Sequence, residues 1–253
     1  MKTINCFSTH APTTTHISNF FGEKDEYFAN YSLGGQPQKI KIKRFIRDAG
    51  LLYNDKFSSF AELGNEIGWD TTTFLGLMLI NLVANNPQFE WYTLNLDVGY
   101  WRTRDEITDM LNTVEQSKNN VTQIIAAFKR ITETPFGTKL NWGYVSDNGD
   151  ISRTVCNVSD HRVILYGLYV YNEKANMHYE FRLNSLYENI ERNGIPPTRI
   201  FGLDRETIEP MLRGLSAKYP NFINYSDTNN LCKISLREDK TPQNVLDLFK
   251  EVK

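Results

Sequence analysis

The order of apolar periods in the last third of the chain limits what it can fold into more than any other feature. Val163 to Tyr171 is almost wholly apolar. It reads as a buried helix, although a short run rich in β-branched and aromatic residues also suits a strand. Asn184 to Arg192 reads as a second helical segment, stopped by Gly194, Pro196 and Pro197. Thr207 to Lys218 reads as a third, with Ile208, Met211, Leu212 and Leu215 as its core stripe. Pro210 is expected in its first turn, since proline has no N–H to donate. Phe222 to Leu236 alternates as two strands around Asp227-Thr228-Asn229-Asn230. Helix, helix, helix, hairpin is a winged-helix order. It points to a binding or adaptor module more than to an enzyme.

The same order recurs upstream. Residues 1–36 are irregular. Lys39 to Leu52 has helical spacing at Ile42, Phe45, Ile46 and Ala49, with Gly50 as a stop signal. Ser58 or Ser59 caps a helix through Phe60, Leu63 and Ile67. Asp70 or Thr71 caps another, Thr73 to Val83, apolar nearly all round and therefore buried. Phe89 to Leu96 reads as a strand. Thr103-Arg104-Asp105-Glu106 is a capping box. Ser117 or Asn119 starts a helix carrying Val121, Ile124, Ile125 and Phe128, ended by Pro135 and Gly137. Gly143 to Val158 reads as a hairpin turning at Asp147-Asn148-Gly149. Thr241 to Val252 is a closing helix with Pro242 at its first position. The expected fold is mainly α with small β-hairpins (α+β), built as tandem winged-helix-like units. The expected boundaries are 1–36 irregular, 37–100 winged-helix-like, 101–158 helix and hairpin, and 159–253 winged-helix with a closing helix.

At 253 residues, 40% hydrophobic and 23% charged, the chain is long enough to bury a core. Its formal charge of −2 gives no global attraction for nucleic acid, so any basic surface is local. Cys6, Cys156 and Cys232 are odd in number and far apart, which suits a reducing compartment. Met1-Lys2-Thr3-Ile4 lacks the apolar run of a signal peptide, and Phe74 to Ala84 is too short to span a bilayer. A cytoplasmic protein with no membrane partner is expected.

Chemistry-bearing patterns are sparse. Cys6, His10 and His16 offer metal-ligand types, but a structural zinc site needs four donors. No cofactor or metal is implied. No Gly-x-Ser-x-Gly elbow occurs, and Cys156 beside Val155 and Val158 reads as a packed thiol in the hairpin. The loop Tyr31-Ser32-Leu33-Gly34-Gly35-Gln36-Pro37 lacks the Lys-Ser/Thr of a phosphate-binding loop and reads as a turn. Asp105, Glu106, Asp109, Glu206 and Glu209 suit helix N-termini. No catalytic residue is assigned.

The strongest charge feature is Lys39, Lys41, Lys43, Arg44 and Arg47, opposed locally by Asp48 alone. Such a run can hold phosphates of duplex DNA, or serve as a solvated face or a docking site for an acidic protein. In the last unit Arg205, Arg213 and Lys233 are the corresponding candidates. They stand among acids, which weakens phosphate attraction there.

A series of local motifs then carries a resemblance: Asn81-Leu82-Val83, Pro87-Gln88-Phe89-Glu90-Trp91-Tyr92, Thr134-Pro135-Phe136-Gly137, Ile200-Phe201-Gly202-Leu203-Asp204 and Leu215-Ser216-Ala217-Lys218-Tyr219-Pro220. From about Thr15 to Phe249 the chain resembles the region that accompanies bacterial phosphoadenosine-phosphosulfate-reductase-like proteins. It is also similar to the domain-of-unknown-function family 4007. The resemblance implies a setting in DNA sulfur modification and phage defence, with the nucleotide chemistry done by a reductase-like partner. No Ser-Gly-Gly-x-Asp-Ser loop or cysteine cluster of such a reductase occurs here. The implied role is a non-catalytic companion, or the non-catalytic part of a longer protein, that binds DNA or a defence-complex protein. A scaffold that binds no DNA is the alternative.

Overall fold

The computed structural model describes residues 4–114, 118–175, 179–188, 194–228 and 231–250. The fold is α+β, with helices and small antiparallel sheets of two or three strands. The chain divides into two compact units, Met1–Asn157 and Val158–Lys253.

In the first unit, local signals start most helices. Residues 1–36 are expected to be irregular, but α1 (Thr14–Glu23) forms within them, started by a capping box between Thr13 and His16. α2 (Gln36–Asp48) follows Gly34-Gly35 with Pro37 in its first turn. α2 starts three residues before the Lys39 expected, because Gly35 and Pro37 set the entry, and it stops at Asp48, before Leu52. The hairpin β1 (Leu52–Tyr53) and β2 (Lys56–Phe57) turns through Asn54 and Asp55, both with positive φ (50° and 60°). That is the mirror-image turn that Asn and Asp tolerate best among non-glycine residues. In α3 (Ser59–Ile67) the Ser58 hydroxyl accepts from Ala61 N at 3.0 Å. In α4 (Thr72–Asn85) Thr71 caps, and residues from Phe74 to Val83 are buried on every side.

The segment expected as a strand, Phe89 to Leu96, is instead a helix, α5 (Pro87–Asn95). Asn86 caps it, accepting from Gln88 N at 3.0 Å and Phe89 N at 3.3 Å, with Pro87 at the first position. Gln88, Phe89, Trp91, Tyr92 and Thr93 are all buried, so the segment has no alternation to separate the two periods. α6 (Arg104–Asn112) opens on the expected Thr103–Glu106 capping box. α7 (Lys118–Thr132) follows; Ser117 lies outside the described residues. α8 (Pro135–Thr138) makes a tight corner. A Cβ at Gly137 would lie 1.9 Å from Thr132 O, which is why glycine stands there.

β4 (Gly143–Val145) and β5 (Ile151–Arg153) form the expected hairpin. β3 (Trp101–Arg102) adds a third strand that two residues of sequence do not announce, in the order β3-β5-β4. β5 ends at Arg153, so Cys156 lies beyond the hairpin strand in which it was expected. Phe89 stacks on Trp142 at 5.2 Å, and Phe128 and Tyr92 close round that indole. The fully buried Arg153 donates to Thr93 O at 2.9 Å, neutralising carbonyls at the C-terminal end of α5.

In the second unit, α9 (Arg162–Ala175) is a helix and not a strand, with Val163 to Tyr169 buried. The Asn184–Arg192 helix is not found over its described part. β6 (Glu180–Arg182) runs into a 3-10 turn, Leu183–Leu186, whose spacing of three buries both leucines. Residues 189–192 of that segment lie outside the described residues. α10 (Pro197–Phe201) ends on Gly202 at φ 71°. α11 (Arg205–Lys218) begins two residues before the expected Thr207, because Asp204 caps it, accepting from Thr207 N at 2.8 Å. Pro210 therefore sits past the first turn.

β7 (Ile223–Thr228) and β8 (Leu231–Leu236) pair as expected, and β6 extends them as β6-β8-β7. α12 (Pro242–Asp247) is shorter than the expected Thr241–Val252, and Val252 lies outside the described residues. Arg162 donates to Leu248 O at 2.7 Å and lies over the Phe249 ring at 4.3 Å, fixing the chain end on this unit.

Candidate nucleic-acid interface

The five basic residues of the first candidate all lie on α2, with Ile42, Phe45 and Ile46 turned into the core. Helical spacing sorts the charges into two rows. Lys39, Lys43 and Arg47 make one; Lys41 and Arg44 make the other. Ile40, 63% exposed, projects between them.

The β1–β2 turn brings Asp55 against the first row, 2.9 Å from Lys43 Nζ and 3.2 Å from Arg47. Those two cations hold its carboxyl below the usual carboxylate range. Arg44 pairs with Asp48 at 3.5 Å. Lys39 and Lys41 have no ion-pair partner among the described residues, and neither has the exposed Lys56 on the same hairpin. The α2 surface thus carries Lys39, Lys41, Lys43, Arg44 and Arg47 against Asp48 and Asp55, and the adjoining hairpin exposes Lys56 next to Phe57, whose N–H donates to Asp25. Lys56 was missed in the sequence, where the short Tyr53-Asn54-Asp55-Lys56 hairpin was its only signal.

The second unit differs. Arg205 Nε lies 2.6 Å from Glu209, and its other nitrogens reach Asn184 Oδ1 at 3.3 Å and Cys232 Sγ at 3.2 Å. Arg213 lies 3.3 Å from the same Glu209, 3.1 Å from Asp227, and over the Tyr225 ring. Lys233 pairs across the sheet with Glu180 at 2.7 Å. Arg205 and Arg213 thus converge on one carboxylate, and each of the three candidates is held by an acid. Such exposed pairs add little stability, but they cancel the field a phosphate would feel. An open cleft of about 600 Å³, lined by Lys218, Tyr219, Phe222, Lys240 and Asp247 among others, also mixes both signs.

His16 and Cys156 are set by burial. Both ring nitrogens of His16 are engaged, Nδ1 at 3.2 Å from the Thr13 N–H and Nε2 at 3.0 Å from the Gln38 side-chain amide. Burial, helped by Arg130, lowers its pKa. Burial pushes the Cys156 thiol up to about 12, away from thiolate chemistry. Among the described residues no three His, Cys, Asp or Glu side chains gather where a metal ion would fit. No described helix is long and apolar enough to cross a membrane.

No protein-family model and no curated protein matches the chain. A solved structure, magnesium ion-bound SspB, shares its fold at a TM-score of 0.68. The match covers 99% of this chain and 87% of that one, at 14% sequence identity.

Proposed function

We propose that the chain is a non-catalytic DNA-binding or adaptor protein of a bacterial DNA-modification or phage-defence system, working beside a phosphoadenosine-phosphosulfate-reductase-like protein. The observation that carries the DNA part is the α2 surface, where Lys39 and Lys41 stand without a described counter-charge beside a hairpin that adds Lys56. The family resemblance and the fold shared with SspB support the setting. In this reading α2 grips the phosphate backbone, while Arg205, Arg213 and Lys233 contribute little because Glu209, Asp227 and Glu180 already hold them.

An electrophoretic mobility shift with duplex DNA tests it. A shift is expected at low salt that weakens at moderate salt. The double variant K39E/K41E is expected to lower the slope of log affinity against log salt by about two, near one per phosphate contact. R213A is expected to leave binding unchanged. Absence of a shift at low salt overturns the DNA part. The second reading, a scaffold that contacts only proteins, then follows from the neutralised second unit, and co-purification with a reductase-like protein tests it.

A further inference from the structure

One surface of the first unit is left unused by the DNA reading. On the three-stranded sheet, Trp101 and Tyr144 both stand opposite Ser152 of the central strand. Residues in register across antiparallel strands point to one face, so the two rings lean together over Ser152. Their centroids are 5.6 Å apart at 46°, and Ser152 is buried beneath them. The rings themselves remain open to solvent, Trp101 by 50% and Tyr144 by 45%, and the neighbouring Tyr100 by 66%. Large aromatic groups held rigidly at a surface in this way are typical of binding hot spots.

The charge around the rings decides what they suit. The segments bearing them, 97–106 and 143–153, contain Asp97, Asp105, Glu106, Asp147 and Asp150. Against these stand Arg102, Arg104 and the fully buried Arg153. Arg102 is itself taken by Asp97 at 3.2 Å and Glu106 at 3.6 Å. Asp147 and Asp150, in the β4–β5 turn, have no ion-pair partner among the described residues, and Asp147 is exposed. A nucleic-acid strand stacking its bases here would set its phosphates against carboxylates. A guanidinium or ammonium group gains both the ring faces and the acidic rim.

We infer that the Trp101–Tyr144 face docks an arginine- or lysine-bearing segment of a partner protein. The cation lies over the two rings, and Asp147 and Asp150 complete its charge recognition. The inference deepens the adaptor side of the proposed role and is independent of the α2 contact with DNA.

Trp101 is half exposed and Trp69 partly so, whereas Trp91 and Trp142 are buried, so the part of the tryptophan fluorescence change that W101F removes reports on this face. The probe is a blocked hexa-arginine peptide, titrated into the whole chain, with hexa-glutamate and oligo-thymidine as the other arms. Saturable quenching by hexa-arginine alone is expected. Y144A should weaken it by about tenfold, the size of one cation–π contact, and D147N/D150N by several-fold. W101F should abolish the fluorescence change while a calorimetric titration still records binding, and K39E/K41E should leave binding as it is. Failure of hexa-arginine to bind, unchanged binding in Y144A, or tighter binding of oligo-thymidine at this face would each overturn the inference. A simultaneous loss of duplex binding in K39E/K41E would leave it standing.

Discussion

Asn86 joins two helices and a semi-buried carboxylate, and its replacement gives a quantitative test of how the first unit holds together. Its side-chain oxygen caps α5 through Gln88 N and Phe89 N, and its Nδ2 donates to Asp48 Oδ2 at 2.6 Å. Asn86 is 1% exposed, so water does not replace what is lost. Asn86→Ala removes a cap worth about 1 kcal/mol and a hydrogen bond to a charged group worth about 2 kcal/mol. The expected loss is about 3 kcal/mol, read by urea denaturation followed by circular dichroism.

Asn86→Asp separates the two roles. It keeps the capping acceptor but places a second carboxylate against Asp48. Asp48 is already raised above the usual carboxylate range, because burial outweighs the bonds from Asn86 and Arg44. A carboxyl raised in the folded state binds protons more tightly there than in the unfolded chain. Stability therefore falls as pH rises from the unfolded to the folded value. Asn86→Asp removes a donor that lowers this pKa and adds a like charge. Its penalty should be largest near neutrality and should shrink as the medium is acidified into the carboxylate range. A loss below about 1 kcal/mol in Asn86→Ala, or a pH-independent penalty in Asn86→Asp, would refute this account.

Two further outcomes follow from buried groups. The Cys156 thiol, pushed up to about 12 by burial, should resist iodoacetamide in the folded protein at about pH 8 and react once urea unfolds it; peptide mapping reads this, and alkylation of the native state would contradict it. Tyr169 donates from its hydroxyl to Phe222 O at 2.8 Å, tying α9 to the start of the β7–β8 hairpin. Tyr169→Phe removes that bond, while Arg237 N still donates to the same carbonyl at 3.0 Å, and should cost about 1 kcal/mol, seen as a lower thermal midpoint of the second unit; an unchanged midpoint would contradict it.

The sequence by itself determined the elements whose signals are local. Ser58, Thr71, Thr103 and Thr241 each cap the helix that follows, because a capping bond spans only three residues. Asp147-Asn148-Gly149 turned the β4–β5 hairpin for the same reason. Asn86-Pro87 carried an equally local signal for α5, but burial of Gln88, Phe89, Trp91, Tyr92 and Thr93 erased the period that would have set it apart from a strand. Strands β3 and β6 are two and three residues long, so they exist only through partners at Ser152 and Ile234, distant in the chain.

The candidate interface divides along the same line. The basic run on α2 was legible, since one helix holds all five charges. Which of them remain available was decided by tertiary structure. Asp55 reaches Lys43 and Arg47 only because the Asn54-Asp55 turn folds back onto α2. Asp227 reaches Arg213, and Glu180 reaches Lys233, only through the β6-β8-β7 sheet and the helix beside it. Charge is written in composition, but its cancellation depends on distance, and distances between remote residues are set only when the chain has packed.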